Sequence, residues 1–295
     1  MRESLINLLK GAIQIEFSLP HDNIPKITVS NLPDDCLKRL TNDEDMARLI
    51  YNGIIEYSFE EKEQTYSMES LHSRALLSKL KYNVKDSQEA QIKYGFYGEV
   101  LLFLVLRGLY GADTIVSRGH FYDPLENSET KGFDSYHMLE REDGRVEFWF
   151  GETKFHDDYY VVNDVLGKIS KVLSEDYISR TVYSIDERYD DIKPKSRLKE
   201  IIDAWRECPQ IHIKDEFNKR DITLVYPILL IFPDKKKKYE DIIKNVVEYI
   251  NSKYSTLTYT KSISIKIFFM LLPISNSKMI KEKVITWISE KEPLI

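Results

Sequence analysis

Cysteine is nearly absent from this chain. There are two in 295 residues, Cys36 and Cys208, with no C-x-x-C spacing. That suggests no zinc framework and no disulfide scaffold, and two free thiols suit a reducing cytoplasm. Long apolar runs are missing as well. "LLFLVL" at 101–106 and "IFFMLL" at 267–272 fall far short of the ~18 residues a membrane helix needs. The opening "MRESLINLLKGAIQIEF" carries no small-residue cleavage site and does not read as a signal peptide. The expectation is a soluble cytoplasmic protein with no membrane partner. Excess positive charge is lacking too: the net charge is −6. This argues against a protein that coats nucleic acid through its overall field, but leaves a local basic site open. No internal repeat and no low-complexity linker is visible.

What is present is a core-forming chain. Apolar residues make up 42%, enough to build a folded interior. Residues 1–85 are mixed: "GAIQIEFSL" reads as a strand, "LPDDCLKRLTNDEDMARLIYNGI" as one or two helices, and "ESLHSRALLSKLKYNV" as an amphipathic helix. They hold no recognisable chemistry, which makes them a scaffold or a partner-docking segment. Residues 86–295 read as the main domain. "SQEAQIKYGFYGEVLLFLVLRGLYG" predicts one long helix capped by Asp86 or Ser87. "FDSYHML" and "RVEFWFGETKF", joined through Asp143-Gly144, predict a hairpin. A helix follows from about Asn163. "TLVYPILLIF" and "SISIKIFFMLLPI" predict buried strands, each followed by a helix. Alternating strands and helices predict an α/β sheet with helices packed on it.

One strand ends unusually. In "EFWFGETKFHDDYY", residues 147–160, period-two alternation puts Val146, Phe148, Phe150, Glu152 and Lys154 on one face. A carboxylate and an amine thus extend an apolar row, where unpaired charge is costly. A surface ion pair on an edge strand is the plain reading. Three features point further. Counting outward from Asp143-Gly144 puts Asp134 opposite the region of Glu152, and two facing carboxylates suit a divalent metal with hard oxygen ligands. Glu99 stands one residue before an apolar run, on the helix face of Leu102, Phe103 and Leu106. Gly151, inside the strand, marks a bulge or a close backbone approach.

The order of helix Glu99, strand Asp134, strand Glu152-x-Lys154 and helix resembles the PD-(D/E)xK nuclease superfamily. The resemblance implies a restriction-endonuclease-like core, a mixed sheet flanked by helices, here with an N-terminal α+β extension. It implies Asp134 and Glu152 as ligands of Mg²⁺ (or Mn²⁺), Glu99 as a further ligand or outer-shell carboxylate, and Lys154 as the catalytic lysine, either base or positioning group. Phe133 stands where that superfamily often has proline. "GFYGEVLLFLVLR", "KGFDSYH" and "FWFGETKFHDD", with this spacing and length, are also similar to HamA, the nuclease-subunit family of the Hachiman anti-phage defence system. That similarity implies DNA as substrate and the superfamily 2 helicase HamB as a partner that restrains and triggers cleavage. Lys131, His137 and Lys168 are further candidates for touching substrate. Lys171 is a weaker one, and "DKKKKYED" at 234–241 reads as a solvated loop. The rival reading is a catalytically inactive fold of the same kind, serving as a binding or adaptor module for a helicase.

Overall fold

The computed structural model describes residues 1–16, 36–59, 66–80, 82–115, 122–123, 128–129, 132–186, 197–207, 212–254 and 263–295. In chain order the elements are α1 (Glu3–Ala12), β1 (Ile13–Glu16), β2 (Cys36–Arg39), α2 (Asp43–Ser58), α3 (Met68–Ser78), α4 (Gln88–Gln91) and α5 (Phe96–Gly108). Then come the short β3 (Asp113–Thr114), β4 (Tyr122–Asp123) and β5 (Ser128–Glu129), and the hairpin β6 (Ser135–Glu140) and β7 (Val146–Phe155). A 3-10 turn (Tyr159–Val161) leads to α6 (Val162–Leu166), α7 (Ile169–Val172), α8 (Glu175–Asp186), α9 (Arg197–Arg206) and α10 (Ile213–Lys219). The chain closes with β8 (Ile222–Pro233), α11 (Tyr239–Tyr254), β9 (Ser264–Ile274) and α12 (Ser277–Glu290).

Seven strands form one mixed sheet in the order β1-β2-β9-β8-β7-β6-β3. The pairs β7–β8 and β8–β9 are parallel, and β6–β7 is antiparallel. β8 is buried along almost its whole length, as a central parallel strand with both faces covered must be. Helices pack on each side. Phe148, Phe150, Leu224, Tyr226 and Ile228 join α6 to α11 in one apolar layer, whereas Trp149, Val225, Leu229 and Phe268 join α1 to α5 and α12 in the other. The fold is of the α/β class, a curled sheet flanked by helices and consistent with a restriction-endonuclease-like core.

Three elements depart from the sequence reading. Residues 36–39 are strand rather than helix, because Leu37 pairs with Ile15 and Cys36 meets Leu271 of β9; tertiary pairing overrides local propensity. The long helix expected from residue 87 is interrupted before Phe96. Ser87 caps only α4, through the Ala90 N–H. Around the interruption, Tyr97 donates to the Gln91 carbonyl and Tyr94 to the Asp86 carboxylate, so polar groups near the break find partners. The helix expected from Asn163 is three short helices, with Gly167 ending α6 and the Ser174 hydroxyl accepting from Tyr177 N–H in the first turn of α8. The N-terminal strands extend the same sheet, and α2 packs against both α5 and α12.

Candidate active site

α5 is buried from Val100 to Leu106 and at Phe96, Tyr97 and Gly98. A helix that is apolar all round lies inside the protein. Gly98 permits this against β7: a Cβ there would stand 3.0 Å from Thr153 Oγ1 and 3.3 Å from Phe155 Cβ. Glu99 is only partly buried and lies in the first turn, where the helix dipole favours a carboxylate. Tyr57 of α2 donates its hydroxyl to Glu99 Oε2.

The hairpin supplies the other groups. Ser135 pairs with Gly151, so Asp134 stands opposite Glu152, as counting from the turn predicts. The Asp134 N–H donates to the Gly151 carbonyl at 2.8 Å, and Asp134 Oδ2 accepts from the Thr153 N–H at 2.8 Å. Gly151 makes no bulge, because Trp149 meets Val225 and Glu152 meets Ile228 at one constant offset. It serves a close approach instead: an added Cβ would lie 2.6 Å from Ser135 Oγ, 3.1 Å from Leu102 Cδ2 and 3.2 Å from Pro227 Cγ. The alternation holds to the strand's end, with Phe148 and Phe150 in one layer and Trp149 in the other. Lys154 Nζ donates to Glu152 Oε1 at 2.6 Å.

Electrostatics tie the groups together. Burial, then the Glu152 and Glu99 carboxylates, push the Asp134 carboxyl well above the ordinary range, against the pull of Lys154 and the Thr153 N–H. Burial lowers the Lys154 amine, but the Glu152 carboxylate and its hydrogen bond, helped by Asp134 and Asp164, hold it above the usual lysine value. Lys154 is therefore an ammonium in the chain by itself. Glu152 and Glu99 stand near enough to Asp134 to oppose its charge, so three carboxyl groups offer hard oxygens in one place. Among the described residues, no three His, Cys, Asp or Glu side chains are grouped to hold a metal ion between them. The chemistry fits an ion such as Mg²⁺, which takes one or two carboxylates and keeps waters or phosphate oxygens for the rest.

Asp134, Glu99, Thr153 and Lys154 open onto a cavity of about 700 Å³. Its far wall comes from residues that sequence reasoning missed: Lys93 between α4 and α5, and Ser277, Lys278 and Lys281 of α12. Asp157 lines it too and accepts a hydrogen bond from Ser277. The remaining candidates lie elsewhere. His137 is buried on the α5 side of the sheet, its ring 5.5 Å from that of Phe103, and does not line the cavity. Lys168 is exposed between α6 and α7 and is not part of the lining. Lys131 lies outside the described residues.

A HamA family model matches residues 18–288 of the chain. The chain belongs to the HamA family. This makes it a protein associated with Hachiman anti-phage defence. No curated protein and no solved structure matches it. Among the described residues no helix is long and apolar enough to cross a membrane.

Proposed function

We propose that this HamA protein is a metal-dependent deoxyribonuclease, the effector of its defence system, restrained and activated by the helicase HamB. The observation that carries this reading is the placement of Asp134 opposite Glu152, with Lys154 bonded to Glu152; Asp134, Lys154 and Glu99 line one cavity, and Glu152 joins them through Lys154 and does not line it. Glu152 and Lys154 on one strand face, with a carboxylate across the hairpin, form the donor set that phosphodiester hydrolysis uses.

Asp134 and Glu152 would hold the Mg²⁺ (Mn²⁺ being the alternative ion), with Glu99 as a third or outer carboxylate. Bound there, the ion would lower the pKa of water and polarise a phosphoryl oxygen. The chain's own groups do the positioning. The Thr153 N–H fixes the Asp134 carboxylate, and the Tyr57 hydroxyl fixes Glu99. Lys154, protonated and tethered to Glu152, donates to the anionic phosphate or orients the attacking water. Its raised pKa makes it a poor base in the chain by itself.

Partnership rests on family and on charge. Phosphate contacts by Lys and Arg dominate nucleic-acid affinity, and a net charge of −6 supplies no attracting field. A DNA-translocating helicase would supply that affinity and hold cleavage in check, docking on the segment before residue 86.

The test is DNA cleavage by the chain co-purified with its helicase, with and without ATP and Mg²⁺. Glu152→Ala and Lys154→Ala are compared as folded variants. Cleavage that needs both side chains and responds to the helicase is expected. Full activity in the folded double variant overturns the site. Cleavage indifferent to the helicase overturns the gating.

A further inference from the structure

The cavity has two unlike walls. One carries the carboxylates of Glu99 and Asp134 beside Lys154, and the other is α12, which presents Lys278 and Lys281. Lys278 is mostly exposed and lies 3.7 Å from Glu282 one turn on. Lys281 is different. It is half-buried and has no carboxylate within ion-pair range among the described residues. Its ammonium donates instead to the Phe155 carbonyl at 3.1 Å. It also stands 4.5 Å from the Phe155 ring centroid and 5.8 Å from that of Tyr97.

These contacts hold the amine without neutralising it. A carbonyl accepts one of its three protons, and the aromatic faces offer only a weak attraction. Burial pulls its pKa down, and Asp157, already bonded to Ser277, opposes that only in part. An amine partly withdrawn from water, short of a counter-ion and facing a cavity calls for an anion. The residue that holds it, Phe155, directly follows Lys154. Lys154 and Lys281 thus border the same cavity from different elements, β7 and α12.

Resting on the nuclease reading of this site, we propose that Lys281 grips a backbone phosphate next to the scissile one, so that α12 sets where the DNA strand enters the cavity. Lys281 is a positioning residue. It orients the strand and does not touch the reacting phosphorus.

The probe is a short fluorescent DNA duplex, titrated by anisotropy in EDTA at several salt concentrations against the chain with its helicase and against the chain alone. Lys281→Gln keeps a donor for the Phe155 carbonyl and removes the charge, so α12 stays anchored. The expected result is about tenfold weaker binding and a salt slope shallower by ~0.9, the loss of one phosphate contact. Lys281→Arg should restore both. With Mg²⁺, KM for cleavage should rise several-fold while kcat changes little. Binding and salt slope unchanged in a folded Lys281→Gln variant, or no duplex binding by the wild-type proteins, would overturn the proposal. If Lys281→Gln does not fold, Lys281→Met is read in the same way: a slope shallower by ~0.9 supports the proposal, and the wild-type slope overturns it. Because binding is read without metal, a chain that binds through Lys281 yet cuts nothing would refute the nuclease reading alone.

Discussion

The Thr153 N–H donates to Asp134 Oδ2 over 2.8 Å, so a side chain on one strand carries the hydrogen-bond ladder one step past the end of its neighbour. The carboxylate is held in place by main chain, while its charge is opposed by Glu152 and Glu99. Position and charge can therefore be separated by substitution. Asp134→Asn keeps an oxygen for Thr153 and removes the ionisable carboxyl that burial, Glu152 and Glu99 disfavour. Without divalent metal it should melt at or above the wild-type temperature, by about 2–4 °C for a gain on the order of 1 kcal/mol. Cleavage should fall at least ~100-fold. Glu99→Gln, which still offers Tyr57 an acceptor, should weaken the Mg²⁺ response more than folding. Melting curves with and without Mg²⁺ check both, and an Asp134→Asn protein that melts lower and keeps its Mg²⁺ response would contradict the assignment.

Gly151 makes a second test, because its constraint is steric. Ser135 Oγ at 2.6 Å and Leu102 Cδ2 at 3.1 Å from an added Cβ leave no room for a methyl group. Gly151→Ala should destabilise by about 1–3 kcal/mol. It should also impair cleavage beyond that loss, since the Gly151 carbonyl accepts from the Asp134 N–H. Denaturant melts set beside activity at low temperature distinguish the two effects.

Arg2 clamps α2, the helix whose Tyr57 bonds Glu99. Its guanidinium bonds Glu56 at 2.6 Å and the Asn52 carbonyl at 2.5 Å, and the Glu56 side chain is 0% exposed. Removing one partner strands a buried charge, so Arg2→Ala should cost about 3–5 kcal/mol. Equilibrium unfolding measures it. A loss below 1 kcal/mol would mean that water reaches Glu56 readily.

Two buried histidines give the protein an acid limit. Burial lowers His72 to about 4, with the Tyr51 carbonyl opposing. Burial, then Arg107, lowers His137 to about 3. Both are neutral in the fold at pH 7, and both protonate near pH 6.5 once unfolded. Their stabilising effect is full above that pH and is lost as pH falls from ~6.5 towards 4, by a few kcal/mol each at most. Among the described residues His137 has no hydrogen-bond partner for either ring nitrogen, so His137→Leu should flatten part of that loss and not lower stability at pH 7. Urea melts between pH 7 and 5 test the slope.

Much of the site was legible because strands alternate strictly. Val146 to Lys154 needed only a period of two, and the Asp143-Gly144 turn set the register that brings Asp134 to Glu152. The α12 wall was not legible. Lys281 meets the Phe155 carbonyl across 126 residues, and Tyr57 reaches Glu99 across 42; no local pattern encodes such meetings. The break before α5 was hidden for a related reason, since the Tyr97 hydroxyl serves the Gln91 carbonyl that a continuous helix would otherwise have to satisfy. β2 was misread because its four residues become strand only when β1 and β9 lie beside them.

The position of α12 in the chain has a consequence for timing. It supplies one wall of the cavity, and it is seated by the early helix α2, where Tyr51 meets Trp287 with ring centroids 5.9 Å apart and donates to the Glu292 carbonyl. Contacts at such sequence separation carry a large loop-closure cost. A ribosome releases the carboxylates of β6 and β7 long before it releases Ser277, Lys278 and Lys281. During synthesis the carboxylates therefore emerge before the α12 lysines, and Lys278 and Lys281 face them only after α12 has docked on α2.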